Sequence, residues 1–168
     1  MSKVVIITGG GRGIGAATAT LAAQRGYAVC VNYRRDRAAA EGIVKGIEHA
    51  GGTAIAVAAD VGSEADVMRM FATVDRALGP LTALVNNAGT VERQMRVEQM
   101  DAARLTRVFA TNVIGSFLCA REAVRRMSTK HGGGGGALAV ARQIETRDRQ
   151  HREQPPGHAL RDVPRGPV

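Results

Sequence analysis

Apolar and polar positions follow two alternating periods along the first 130 residues. Residues 4–8 (Val4, Val5, Ile6, Ile7, Thr8) are β-branched throughout, which predicts a strand buried on both faces. A glycine-rich turn follows over 9–15, and an Ala- and Leu-rich segment over 14–25 predicts a helix closed by Gly26. The same alternation repeats. Strands are expected at 27–32, 53–58 and 81–86, and helices at 36–50, from Ser63 to Leu78, and over 101–127. Ser63 is the N-cap of the third helix, with Asp66 three residues on at capping-box spacing. Val67, Met70, Phe71, Val74 and Leu78 fall on one face of that helix, and Gly79-Pro80 ends it. Such alternation predicts an α/β, three-layer Rossmann-like fold with a parallel sheet in strand order 3-2-1-4.

The pattern changes at His131. Five consecutive glycines fill 132–136, and four of the five prolines (Pro155, Pro156, Pro164 and Pro167) lie beyond them. The chain therefore divides into a nucleotide-binding unit at 1–130 and a Gly-rich linker with an Arg/Pro-rich, disordered tail at 131–168. The tail composition also admits a short helix near 137–149.

Composition narrows the function classes. The chain has 168 residues, 45% hydrophobic, and a formal charge of +8. The basic residues are scattered and aromatics are only 3% of the chain, so the stripe and stacking platform of a nucleic-acid reader are not visible. No apolar run approaches the roughly 18 residues that span a bilayer. The opening run 4–7 is too short for a signal-peptide core, so a cytoplasmic, non-membrane protein is expected. Two cysteines, Cys30 and Cys119, exclude a disulfide framework. His49, His131, His151 and His158 show no ligand spacing, so no metal is expected.

Candidate chemistry begins at Thr8-Gly9-Gly10-Gly11-Arg12-Gly13-Ile14-Gly15. Glycines between a strand and a helix let backbone approach a ligand closely, and the helix start offers unpaired N–H groups and a positive dipole end. Packing alone also explains glycine turns; the flanking strand and helix favour a dinucleotide site. A carboxylate at the end of the second strand would hold the ribose of NAD, but Asn32-Tyr33-Arg34-Arg35 stands there instead. Arg12, Arg34 and Arg35 suit a 2′-phosphate, so NADP(H) is the expected cofactor, with NAD(H) as the alternative.

Thr8-Gly9-x-x-x-Gly13-x-Gly15, Asp60-Val61, Asn86-Asn87-Ala88-Gly89 and Asn112, in this order and spacing, resemble the short-chain dehydrogenase/reductase family. The similarity covers about residues 3–130 and looks like bacterial 3-oxoacyl-carrier-protein reductase and glucose dehydrogenase members. It implies that Gly9, Gly13, Ile14 and Gly15 line the pyrophosphate, and that Asp60 and Val61 face the adenine. It implies that Asn86, Ala88 and Gly89 lie along the adenosine ribose, and that Thr8 bonds toward that turn. Asn112 would anchor a water of a proton relay. The implied activity is hydride transfer between NADP(H) and a small carbonyl or alcohol substrate, in a family of homo-oligomers.

In the family a fifth strand, which would begin near Gly135, ends in the catalytic Ser, and the Tyr and Lys follow it. This chain has no Ser after Ser128, no Tyr after Tyr33 and no Lys after Lys130. A shifted reading frame at the glycine codons is the expected cause of the break, with a truncated pseudoenzyme as the competing account. The chain as written is expected to bind cofactor with little or no turnover. A non-catalytic nucleotide-binding module and a basic interaction protein are the alternative readings.

Overall fold

The structure is a computed structural model and describes residues 3–141. Strands β1 (Lys3–Ile7), β2 (Tyr27–Tyr33), β3 (Ala54–Ala58), β4 (Ala83–Asn86) and β5 (Ala137–Val140) form one sheet in the order β3-β2-β1-β4-β5. Every neighbouring pair is parallel. Helices α1 (Gly13–Gln24), α2 (Arg37–His49) and α3 (Glu64–Ala77) join the first four strands. A longer helical stretch follows β4: α4 (Ala102–Phe109), a π-helical turn (Ala110–Ile114) and α5 (Gly115–Met127).

The two-residue period of β1 divides the core. Val4 and Ile6 point to one side, where they meet Val67, Met70, Phe71 and Val74 of α3 and Cys119, Ala123 and Met127 of α5. Val5 and Ile7 point to the other side, against Ala19 of α1 and Ala40 and Ile47 of α2. A strand buried on both faces must be apolar at every position, which is why 4–7 shows no alternation. Cys30 and Cys119 belong to this core, and burial pushes both thiols up to about 12, far from a reactive thiolate.

Order 3-2-1-4 is thus as expected for four strands, with β5 added outside β4. This fifth strand corrects two expectations. Residues 137–140 are not helical: Ala137 N–H donates to Thr82 O at 3.1 Å and Ala141 N–H to Asn86 O at 2.9 Å. An open β4 edge offers a ladder of backbone partners, and that outweighs local composition. The folded unit also continues past 130, and the glycine run is more than a spacer. A Cβ at Gly133 would collide with the Arg126 and Met127 backbone, and one at Gly136 with Met127 and Thr82. These glycines let the chain turn tightly from α5 into β5. The rest of the expected tail, 142–168, lies outside the described residues.

The helix expected over 101–127 is interrupted at the π-helical turn around Asn112. Its apolar positions Leu105, Phe109, Val113 and Phe117 remain exposed rather than joining the core. Farther along, nearly buried Glu122 receives Arg125 and Arg126 at 2.9 Å each. Burial raises the Glu122 pKa, but the Arg126 hydrogen bond and the charges of Arg125 and Arg126 hold it below its ordinary value. Among the described residues, no helix is long and apolar enough to cross a membrane.

Candidate functional site

From β1 the strand order runs to β2 and β3 on one side and to β4 and β5 on the other. An open parallel sheet forms a crevice at such a reversal of strand order. A cavity of about 560 Å³ lies there.

Its floor is the glycine turn. Gly9 has φ +63°, and a Cβ there would come within 3.0 Å of Ala88 Cα. A Cβ on Gly15 would lie 2.5 Å from both Asn87 Nδ2 and Gly9 O. Both positions therefore require glycine for close backbone packing. Gly13 differs: φ is +54°, yet nothing lies within 4 Å of a Cβ built on it. Open space stands in front of the first turn of α1. Arg12 is the N-cap residue and supplies no side-chain cap, and the first turn carries no acid. A helix start with exposed amides, an adjacent Arg and no carboxylate favours an anion.

Thr8 and Asn87 lock the turn to the end of β4. Thr8 Oγ1 accepts the N–H groups of Asn87 and Ala88 at 2.9 Å each. Asn87 Nδ2 donates to Thr8 O at 2.9 Å and Gly9 O at 3.1 Å. Asn86 turns the other way, donating from Nδ2 to Ser116 O of α5 at 3.0 Å. The side wall is thus fixed by three polar side chains, all anchored to main chain.

Asn32 is buried beneath the cavity. Its Oδ1 accepts Gly9 N–H at 3.1 Å, and its Nδ2 donates to Val57 O at 3.2 Å and Ala59 O at 3.0 Å. One amide thereby joins β1, β2 and the end of β3. An amide suits this place, because it accepts through one atom and donates two hydrogens through the other. Beyond it, Tyr33, Arg34 and Arg35 line the rim together with Arg12. Arg34 Nε lies 3.1 Å from Asp60 Oδ2. Asp60 Oδ1 accepts Gly62 N–H at 2.9 Å, while Asp60 N–H donates to Asp66 Oδ2 at 3.0 Å. That backbone bond, with the Arg69 hydrogen bond after it, holds the Asp66 carboxyl below its ordinary pKa of 3.8. Asp66 thus turns back to Asp60, while Ser63 Oγ accepts Asp66 N–H at 3.4 Å.

The structure gathers most of the sequence candidates around this one cavity. Gly9, Arg12, Gly13 and Ile14 line its floor; Asn32, Tyr33 and Arg34 one end. Asp60 and Val61 line the β3 side, and Ala88 and Gly89 the β4 side. Thr8, Gly15 and Asn86 stand behind it as supports. Asn112 lies outside its lining: its Oδ1 accepts Thr90 N–H at 2.7 Å and its Nδ2 donates to Thr90 O at 2.9 Å. This two-point clamp fastens the π-helical turn to the chain after Gly89. Asn87, Thr90 and Thr111 also line the cavity, and the sequence reading did not select them for it. Asn87 carried a usable signal, standing beside Asn86 before a glycine; Thr90 and Thr111 carried none.

A family model described as short chain dehydrogenase matches residues 3–140. The chain belongs to this family. It is 48% identical over 144 residues to the uncharacterized oxidoreductase YgfF of Escherichia coli (strain K12), covering 86% of this chain and 58% of that protein. It is 42% identical over 129 residues to versicolorin reductase 1 of Aspergillus parasiticus, covering 74% of this chain and 47% of that one. Among solved structures, a short chain dehydrogenase from Burkholderia cenocepacia J2315 in complex with NADP superimposes with a TM-score of 0.76 at 32% identity. That match covers 83% of this chain and 55% of the other. The chain spans about half the length of the relatives it matches.

Proposed function

We propose that this chain is the coenzyme-binding part of a short-chain dehydrogenase that uses NADP(H) with a small carbonyl or alcohol substrate. The observation that carries the reading is the open first turn of α1, where Gly13 leaves room and no acid competes. The pyrophosphate of a dinucleotide fits this place: the N–H groups and Arg12 bind it, and Gly9 and Gly15 keep the turn low. Arg34 and Arg35 meet a 2′-phosphate, while Asp60, Val61, Ala88 and Gly89 flank the adenosine. Asn32 supports this end from below and does not touch the ribose through its committed amide. The preference for NADP(H) over NAD(H) rests on the arginines and on the lack of an acid at Asn32.

When bound, the nicotinamide nucleotide supplies or accepts a hydride. The chain's own residues bind and orient it: Asn86 and Asn87 fix the β4 side, and Asn112 fixes Thr90. The family's general acid, a Tyr with a Lys partner, has no counterpart here, since no Tyr follows Tyr33 and no Lys follows Lys130. Loss of general acid catalysis typically costs a factor of about a hundred to ten thousand. Binding without appreciable turnover is therefore expected of this chain alone. Isothermal titration with NADPH tests the reading: saturable binding at one site supports it, and no heat at millimolar coenzyme refutes it. Loss of NADPH absorbance with a panel of carbonyl compounds is expected to stay near the uncatalysed rate.

A further inference from the structure

Arginine at an open rim is a poor ligand until something orders it. Arg34 has a half-exposed side chain, and a free guanidinium of this kind samples many rotamers. Here it faces one carboxylate, Asp60, whose own position is fixed two ways. The backbone of Asp60 is tied to Asp66 at 3.0 Å, Oδ1 is tied to Gly62 at 2.9 Å, and Oδ2 is left for Arg34. The other acid at this end, Asp36, is committed elsewhere: its Oδ1 accepts Ala39 N–H at 3.0 Å as the cap of α2. The contact to Asp60 is made by Nε at 3.1 Å, and among the described residues no hydrogen bond engages the two terminal amino groups of Arg34.

We propose that Asp60 is the positioning residue of Arg34, setting the guanidinium to receive a phosphate on the 2′-position of adenosine. The inference rests on the NADP(H) reading above and adds to it the residue that sets specificity. A carboxylate beside a phosphate site repels the ligand by itself. Salt screens that repulsion; it screens the Asp60–Arg34 attraction too, but that contact acts across only 3.1 Å, well inside a Debye length. Asp60 therefore strengthens discrimination between phosphorylated and unphosphorylated ribose although it carries the wrong charge for the ligand.

The experiment compares adenosine 2′,5′-bisphosphate with 5′-AMP, binding to the full chain by calorimetry at fixed salt. These probes need only the adenosine end of the cavity. The preference is the ratio of the two affinities. Unmodified protein is expected to prefer the bisphosphate, and Arg34→Lys, which keeps the charge but loses the fork, is expected to lose roughly tenfold of that preference. Asp60→Asn keeps the acceptor for Gly62 and is expected to lose about three- to tenfold. The double variant is expected to lose no more than Arg34→Lys alone, because the two residues act as one unit. Two results overturn the inference while leaving the NADP(H) reading standing. They are an unchanged or increased preference in Asp60→Asn, which includes equal weakening of both probes, and additive losses in the double variant. No preference in the unmodified protein overturns the NADP(H) reading, and the inference with it.

Discussion

Gly13 and Gly15 sit two residues apart in one turn, yet the structure assigns them opposite sensitivities to a methyl group. In Gly15→Ala the new Cβ would stand 2.5 Å from Asn87 Nδ2 and Gly9 O and 3.0 Å from Gly10 Cα. Two of these are main-chain atoms, so the turn cannot yield by rotating a side chain. Overpacking of this kind costs about 1–3 kcal/mol. Displacing Asn87 also weakens its hydrogen bonds to Thr8 and Gly9, at about 0.5–1.5 kcal/mol each. The gain from alanine in a helix offsets about 1 kcal/mol. The net loss is about 1–5 kcal/mol, centred on about 3, or a fall of roughly 10 °C in Tm for a unit of this size. Gly13→Ala meets nothing within 4 Å and pays only for positive φ, about 1–2 kcal/mol. Its methyl instead enters the space in front of the α1 amides. NADPH affinity is expected to fall by at least about tenfold, with Tm lowered by no more than about 8 °C. Thermal melting without ligand and calorimetric titration with NADPH separate the two effects. Gly15→Ala melting with the unmodified protein refutes the packing argument. Gly13→Ala binding NADPH at full strength refutes the phosphate site.

Other substitutions test the supports. Asn32→Asp turns the donor facing Val57 O and Ala59 O into an acceptor; urea denaturation is expected to show a loss of about 2–4 kcal/mol, without a switch toward NAD(H). Glu122→Gln removes the charge that Arg125 and Arg126 share, and a loss of about 1–3 kcal/mol is expected in the same assay. Asp66 gives an acid limb. Its folded pKa lies below 3.8, so its contribution is complete above the unfolded value and is lost as pH falls through the folded one. Melting temperatures measured downward from pH 5 are expected to fall less steeply in Asp66→Asn than in the unmodified protein; parallel slopes would show that the bond to Asp60 contributes nothing.

Sequence alone determined the elements whose apolar period is unambiguous. An all-apolar β1 and the stripe of α3 each fix which surface is buried, and four repeats of strand and helix leave few parallel arrangements. The glycine turn was legible as a motif between a strand and a helix, although the close approach that demands glycine at Gly9 and Gly15 involves Ala88 and Asn87, far along the chain. Other features depend on partners far along the chain. Asn32 looks like a ribose neighbour in sequence, and only the meeting of Gly9, Val57 and Ala59 around it shows an amide turned inward. Glycines at 133 and 136 read as a linker because composition does not record that α5 passes within a methyl's reach of them. Likewise, β5 exists because β4 offers an unpaired edge, a long-range hydrogen-bonding demand that no window over 137–140 contains. Local sterics can be read from neighbouring residues; the satisfaction of polar groups across the sheet is decided only when the chain closes on itself.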